Sequence, residues 1–277
     1  MMDAPLLGPV DAPDLSVMSL NIRRAMEGIL RPRRDRWSTR APAVSALLAT
    51  ERPTLLGLQE ALPRVLPVVH RALGSRYRRV GHGRGARGSG EGTPLLYDSA
   101  RLELRQSGQR ALSPTPDRPG SLGWGNLIPR ILVWAEFVDR ATGRPFLAVN
   151  THLDHLSARS RRRSVESIRQ LVRERALPAV VMGDLNAGEG SGAVRGLLGD
   201  GDPVDAWRIA ERTATPMWGT YPGYGRPRRG GRRIDWIVVT ADVRVRAIGL
   251  NARRFGGRRP SDHLAVQSIL RLGKEPS

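Results

Sequence analysis

The sequence predicts an α/β fold in which two packed β-sheets are flanked by helices. Short apolar runs that stop at Gly, Asn or an acid recur along the chain, the clearest being residues 179–182, which end at Gly183. The runs come irregularly, with few amphipathic helical segments between them, so strand and helix do not alternate as a wholly parallel sheet requires. No linker and no repeat of fixed period interrupts the 277 residues, which points to one domain.

The elements follow in order. Residues 1–13 read as a loose leader, 14–272 as the domain and 273–277 as a tail. Leu15-Ser16-Val17-Met18-Ser19-Leu20 is a strand running into Asn21, and residues 23–38 form an arginine-rich loop. Thr39 is a candidate N-cap, followed by Val44, Leu47 and Leu48 at helical spacing. Residues 55–58 form a core strand closed by Gln59-Glu60, and residues 65–73 a second helix. The Gly/Arg-rich stretch 81–92 is a loop; residues 94–97 and 102–104 read as neighbouring strands, and 113–126 as another loop. Residues 131–137 and 146–149 make a strand pair around Thr142-Gly143. Residues 157–176 give the clearest helix, with Val165, Ile168, Leu171 and Val172 on one face and arginines on the other. After residue 186 a loop-rich stretch reaches residue 233, and strands are expected at 234–240, 243–250 and 265–270.

Composition sets limits. Net charge is +19, and Lys274 is the only lysine, so arginine supplies the rest of the 45 basic residues. Such a surface attracts polyanions such as nucleic acid or anionic lipid; an Arg-for-Lys excess with abundant Gly, Ala and Pro is equally what a GC-rich genome produces. With no cysteine, disulfides and thiolate metal sites are excluded. No run approaches the roughly 18 apolar residues of a membrane span. The N-terminus carries acids and prolines where a signal peptide has basic and then apolar residues, so a cytoplasmic, monomeric protein is the expectation.

The apolar strands repeatedly end at, or follow, residues able to bind a cation or move a proton. Asn21 follows Leu20, Glu60 follows Gln59, and His152 and Asp154 follow Thr151. Asp184 and Asn186 lie just past Gly183, two apart, so their side chains share a face; Asp262-His263 precedes the last strand. Singly, Asn21 and Asp184 read equally as turn formers and Glu60 as an exposed acid. Asp235 is different: a carboxylate set among Ile234, Trp236 and Ile237 is buried and needs a partner. A buried aspartate orienting a histidine is the arrangement of general acid–base catalysis. In α/β sheets, ligands bind beyond the carboxyl ends of strands.

The motifs Ser19-Leu20-Asn21, Leu58-Gln59-Glu60, Asn150-Thr151-His152-Leu153-Asp154-His155, Gly183-Asp184-Leu185-Asn186, Arg233-Ile234-Asp235-Trp236-Ile237 and Ser261-Asp262-His263, in this order, resemble the endonuclease/exonuclease/phosphatase superfamily. That superfamily comprises metal-dependent phosphohydrolases such as pancreatic-type deoxyribonuclease, abasic-site endonucleases, deadenylases, inositol-polyphosphate phosphatases and bacterial sphingomyelinases. The resemblance implies a four-layer α/β sandwich, two mixed β-sheets face to face with helices outside. It implies Glu60 as principal Mg²⁺ or Mn²⁺ ligand with Asn21 beside it and Asp262 near, Asp184 as the residue that orients or deprotonates water, and Asn186 as a phosphate holder. It further implies His263 paired with Asp262, and His152 at the phosphate or leaving group, oriented by Asp235. Glu91, Arg130 and Asp154 are candidate substrate-side residues, with loop glutamate and solvated arginine as the alternatives for the first two. Where many relatives have an aromatic–histidine pair, this chain has Thr220-Tyr221-Pro222-Gly223.

The reaction class expected is metal-dependent hydrolysis of phosphodiesters, with DNA or RNA preferred as substrate. Arg161-Arg162-Arg163, Arg226-Pro227-Arg228-Arg229 and the loop aromatics Trp124, Trp218, Tyr221 and Tyr224 suit a nucleic acid, though a solvated helix face and a basic loop explain the arginine runs as well. A phosphatase or phosphodiesterase acting on a small metabolite or lipid head group is the alternative, and a non-catalytic nucleic-acid-binding protein the third reading.

Overall fold

The computed structural model describes residues 4–199 and 201–273. In chain order the strands and helices are β1 (Asp14–Asn21), α1 (Trp37–Glu51), β2 (Leu55–Gln59), α2 (Leu66–Leu73), β3 (Tyr77–Val80), β4 (Leu95–Asp98), β5 (Leu102–Ala111), β6 (Ile131–Asp139) and β7 (Pro145–His152). They continue with α3 (Ala158–Arg175), β8 (Ala179–Asp184), α4 (Gly192–Leu198), β9 (Val204–Asp205), α5 (Ala206–Ile209), β10 (Asp235–Val239), β11 (Val243–Asn251) and β12 (Ala265–Leu272).

These strands form two six-stranded mixed sheets, ordered β11-β12-β1-β2-β4-β3 and β5-β6-β7-β8-β10-β9. In each sheet one central pair is parallel, β1 with β2 and β7 with β8. The apolar residues of these strands fall into three clusters. One, including Val17, Leu55, Phe137, Val180 and Ile237, fills the space between the sheets. The second packs α3 and α4 on the outer face of β6–β8, and the third packs α1 and α2 on the outer face of β1 and β2. Burial on both faces is why these strands read as continuous apolar runs instead of alternating ones. The four layers expected from the motifs are present.

Two residues set how closely the sheets approach. A Cβ at Gly57 would lie 2.7 Å from Met182 Sδ and 2.9 Å from Asn150 Oδ1 of the facing sheet. Asn150 crosses the gap, donating from Nδ2 to the carbonyls of Leu58 (2.8 Å), Thr93 (3.0 Å) and Pro94 (3.0 Å) while its Oδ1 accepts from Gln59 Nε2 (2.7 Å). Those bonds lock the carboxyl ends of β2 and β7 against each other, at the place where Glu60 and His152 leave their strands.

The structure corrects several expectations. The segments at 94–97 and 102–104 are not neighbours: β4 lies in the first sheet and β5 at the edge of the second, the chain crossing between them at residues 99–101. The arginine-interrupted β3 went unread because only Tyr77 and Val80 face inward. Helix α1 begins at Trp37, two residues before Thr39, with Ser38 N bound by the Glu27 carboxylate at 2.6 Å. The stretch after residue 186 contains α4, capped by Ser191, and the short β9 and α5. The leader is not loose throughout: the Glu51 carboxylate accepts from the backbone N–H groups of Leu6 (2.7 Å), Leu7 (3.3 Å) and Gly8 (3.0 Å). The predicted tail, apart from Gly273, lies outside the described residues. No helix among the described residues is long and apolar enough to cross a membrane.

Candidate active site

Strand register assembles the site. His152, Asp184 and Asp235 stand opposite one another on three adjacent strands, β7, β8 and β10. Across from them, Asn21 ends β1 beside Gln59, the last residue of β2, and Glu60 follows. The loop into β12 brings Asp262 and His263, tied down by the Ser261 hydroxyl donating to Asn21 O at 2.7 Å. Arg23, Glu60 and Asn186 all hold positive φ (59°, 57° and 48°), so three non-glycine residues at the site adopt a left-handed backbone. Such conformations persist where surrounding structure imposes them, and they cluster at functional sites. Gly183 is required as well: a Cβ there would lie 2.0 Å from Thr151 O.

The acid–amide side is one hydrogen-bonded group. Asn21 Nδ2 donates to Glu60 Oε1 (3.1 Å) and Asp184 Oδ2 (3.0 Å); Arg24 N donates to Glu60 Oε2 (2.6 Å), and Asn186 N to Asp184 Oδ1 (2.8 Å). Asp184 is buried, and desolvation, with the charge of Asp235 behind it and His263 opposing, lifts its carboxyl to about 7. That is where a general base for neutral pH should titrate.

The histidine pairings differ from the expected ones. His263 Nδ1 lies 2.9 Å from Asp235 Oδ2, so Asp235 orients His263, not His152, and Asp262 is not the partner of His263. Burial pushes the His263 imidazole down, but Asp235, aided by Asp184 and Asp262, outweighs it and holds the ring up at about 10. The other ring nitrogen, Nε2, sits 3.9 Å from Asp184 Oδ2. His152 faces Asn186 instead: its Nε2 accepts from Asn186 Nδ2 at 3.0 Å and lies 3.6 Å from Asp184 Oδ2. Burial, with Arg130 and Arg84 nearby, drives His152 well below the usual imidazole range. One histidine is thus kept protonated and the other neutral, two states that divide acid and acceptor roles between them.

A cleft of about 440 Å³ opens over this group, walled by Glu60, His152, Asp184, Asn186, Asp262 and His263 and rimmed by arginines. Of the substrate-side candidates, Glu91 and Arg130 line it. Glu91 is held by Arg84 Nη2 (2.7 Å) and Arg24 Nε (3.2 Å). Arg130 is buried, with Nη1 lacking a partner. Asp154 does not wall the cleft: its Oδ1 accepts from the backbone of Leu156 and Ser157, and its Oδ2 faces Arg130 Nε at 3.4 Å. Asp154 therefore positions Arg130, whose Nη2 reaches His155 Nδ1 at 2.9 Å, and its assignment as a substrate contact is corrected. Sequence reasoning missed Arg23, Arg24, Arg84, Arg232 and the placement of Tyr221, whose ring stands 4.8 Å from that of His263. In a chain this rich in arginine, the residue type carries no signal; Arg84 could have been sought through the glycines that bring its loop over the cleft.

A divalent cation fits the oxygen donors. Glu60 and Asp262 both line the cleft; burial raises Asp262 against the opposing charges of His263 and Arg23, and Glu60 adds to the rise, a balance that a hard cation would relieve. A second grouping, Asp184, Asp235 and His263, brings ligand atoms within 4.8 Å of one another. A cation there would compete with the 2.9 Å bond between Asp235 and His263. On the other side, Glu60 and Asp262 face the cleft, while Asn21 turns Nδ2 toward Glu60 and Asp184 and its Oδ1 accepts from Arg23 N at 2.9 Å.

A model of the endonuclease/exonuclease/phosphatase family matches residues 18–263. The chain belongs to this family. Members act on phosphoester bonds and are divalent-metal-dependent as a class, so the chain is a phosphoesterase of that superfamily. An endonuclease/exonuclease/phosphatase from Bacteroides vulgatus is 30% identical, covering 94% of this chain and 99% of its own, with a TM-score of 0.86. A Bacteroides thetaiotaomicron mannosyl-6-phosphatase is 29% identical over 92% of this chain and 99% of its own, with a TM-score of 0.81. TDP2 from D. rerio, solved with a single-strand DNA product, is 17% identical with a TM-score of 0.67, covers 93% of this chain and 99% of its own, and shares the fold. Among curated proteins the sequence finds no match.

Proposed function

We propose that the chain hydrolyses the phosphate ester of a compact polar molecule, a sugar-phosphate-like monoester, using a water activated at Asp184. The observation that carries this reading is the compact cleft of about 440 Å³, with Arg84, Arg130 and His155 on one wall and Tyr221, Arg232 and Ile234 on another. That volume suits one small phosphorylated ligand. The resemblance to a mannosyl-6-phosphatase supports the same class.

Asp184 accepts a proton from the attacking water, whose oxygen bonds to phosphorus as the bond to the ester oxygen breaks, and that oxygen takes up a proton from solvent in the open cleft. His263, protonated through Asp235, presents Nε2–H to a phosphate oxygen, and neutral His152 with Asn186 lines the opposite side. Arg130, held by Asp154, lines the cleft and sets its guanidinium charge beside the anion. Glu60 and Asp262, with Asn21 beside them, would hold Mg²⁺ or Mn²⁺, which would supply charge neutralisation at the phosphoryl group.

The second reading is a nuclease. The rim arginines Arg23, Arg24 and Arg232 and the half-exposed Tyr221 ring over His263 favour it, since together they offer backbone neutralisation and a stacking surface.

The test is a hydrolysis panel of hexose 6-phosphates, phosphorylated inositols, bis-p-nitrophenyl phosphate, plasmid DNA and RNA with Mg²⁺, Mn²⁺ or EDTA, run on the full chain and on Asp184→Asn. Phosphate release from sugar monophosphates, abolished by EDTA and by the substitution, is expected. Cleavage confined to DNA or RNA selects the nuclease. No turnover anywhere, with salt-sensitive nucleic-acid binding that survives the substitution, overturns the enzyme reading.

A further inference from the structure

Behind the cleft lies a second cavity, of about 520 Å³, walled by Arg33, Arg34, Arg40, Arg254, Arg258 and Arg259. Its walls come from three places: the turn before α1, α1 itself, and the loop between β11 and β12. Tyr224 completes it, and no carboxylate lines it.

The guanidinium groups differ in what they already bind. Arg40 is fully buried and donates to the backbone carbonyls of Ile22, Arg23, Arg24, Asp35 and Pro260, so it is structural. Among the described residues none of Arg33, Arg34, Arg254, Arg258 and Arg259 forms an ion pair with a carboxylate. Arg259 is only 7% exposed; its Nη1 donates to Ala252 O at 2.8 Å, and its Nε has no partner. Burial lowers Arg259, and the positive charge of Arg254 lowers it further. The nearby carboxylate, Asp35, is already taken by Arg23 (3.1 Å), Arg31 (3.1 Å) and the Tyr224 hydroxyl (2.8 Å).

Four exposed guanidinium groups without carboxylate partners, and a buried fifth with an unfilled donor, gather around one concave space, and an anion entering it would relieve their mutual repulsion. We propose that this cavity is a second anion-binding site, separate from the cleft, for a small ligand carrying two or more adjacent phosphate groups. Several guanidinium forks around one pocket match the clustered oxyanions of a di- or triphosphate better than a single phosphate. The concave shape and the buried Arg259 at its wall favour a small ligand over a nucleic-acid backbone, which would track a long groove. The cleft and the cavity share a wall: Tyr224 bonds Asp35, Asp35 bonds Arg23, and Arg23 Nε lies 3.6 Å from Asp262 Oδ2. The proposal does not depend on the reaction catalysed in the cleft.

The experiment titrates the full chain with inorganic tripolyphosphate by calorimetry in EDTA, beside Arg254→Ser/Arg258→Ser and a control pair of the same charge, Arg64→Ser/Arg71→Ser, just before and within α2 and lining neither the cleft nor the cavity. All four arginines are exposed, so both pairs should fold. The cavity pair is expected to weaken one binding event about tenfold or more, on the strength of charge-assisted hydrogen bonds. It should leave any second event, and hydrolysis of a small phosphate ester, unchanged, while the control pair changes neither. Equal weakening in both pairs would assign the binding to bulk charge and overturn the site, as would no weakening in the cavity pair. A single-stranded oligonucleotide that binds through Arg254 and Arg258 where tripolyphosphate does not would overturn the small-ligand assignment.

Discussion

Replacing Asp235 with asparagine removes one negative charge from beneath His263 and keeps the side-chain shape. Burial by itself would push the imidazole down; the Asp235 charge and hydrogen bond are what hold it at about 10 against an ordinary 6.5. Read as differential interaction energy, that interval is the net of burial against the three carboxylates, about 5 kcal/mol at most in favour of the protonated ring. A value raised in the folded state contributes stability that is complete below 6.5 and lost as pH climbs through about 10. Asp184, raised from 3.8 to about 7, acts in the other range: its penalty grows as pH rises to about 7 and is flat above it. Urea unfolding in EDTA between about pH 7.5 and pH 10.5 therefore isolates His263. The native chain should lose up to a few kcal/mol more across this window than Asp235→Asn. Tyr77, Tyr97, Tyr221 and Tyr224, all pushed above the usual phenol range by burial, also reduce stability at the alkaline end, but equally in both proteins, so the difference is what is read. Phosphate-ester hydrolysis by the variant should fall about 10²- to 10⁴-fold, because a neutral His263 no longer donates strongly to the phosphate. Parallel stability–pH curves together with full activity would refute the pairing as the source of the protonated histidine.

Three further outcomes follow from the geometry. Gly57→Ala inserts a Cβ 2.7 Å from Met182 Sδ, so the sheets must part; about 1–3 kcal/mol of destabilisation, seen as a Tm lower by a few degrees, is expected. Asn150→Ala withdraws the donor shared by the Leu58, Thr93 and Pro94 carbonyls and the acceptor of Gln59, at about 3 kcal/mol, measured by denaturant unfolding. Glu60→Gln should weaken Mn²⁺ binding, followed by electron paramagnetic resonance, by about tenfold or more, with His263→Gln changing it far less. The reverse order would place the cation among Asp184, Asp235 and His263.

Most of the site was readable from local sequence because of where polar residues interrupt apolar runs. Asn21, Glu60, His152 and Asp184 each fall at the end of a strand buried on both faces, where an exposed turn would be bland but a converging set is not. The strands themselves were readable for the same reason, whereas β3 and β9 were not, being too short or too polar to break the local pattern. The Arg130–Asp154 arrangement shows the limit: Asp154 follows His152 by two residues, yet its carboxylate turns to cap a loop and brace an arginine.

What the sequence determined by itself is the inventory: which side chains stand at strand ends, that the ligand set is oxygen and imidazole with no thiolate, and that the chain carries a large positive charge. What only the tertiary structure decided is pairing. Asp235 belongs to β10 in one sheet and His263 to the loop entering β12 in the other, so their 2.9 Å contact exists only once the sheets stack. Strand pairing within the second sheet sets His152 against Asp184 and Asn186, and the stacking of the sheets gathers arginines distant in sequence around two separate cavities. Sequence spacing fixes which face of a strand a residue occupies; which charge neutralises it depends on distances across the gap between layers, and those are set by packing.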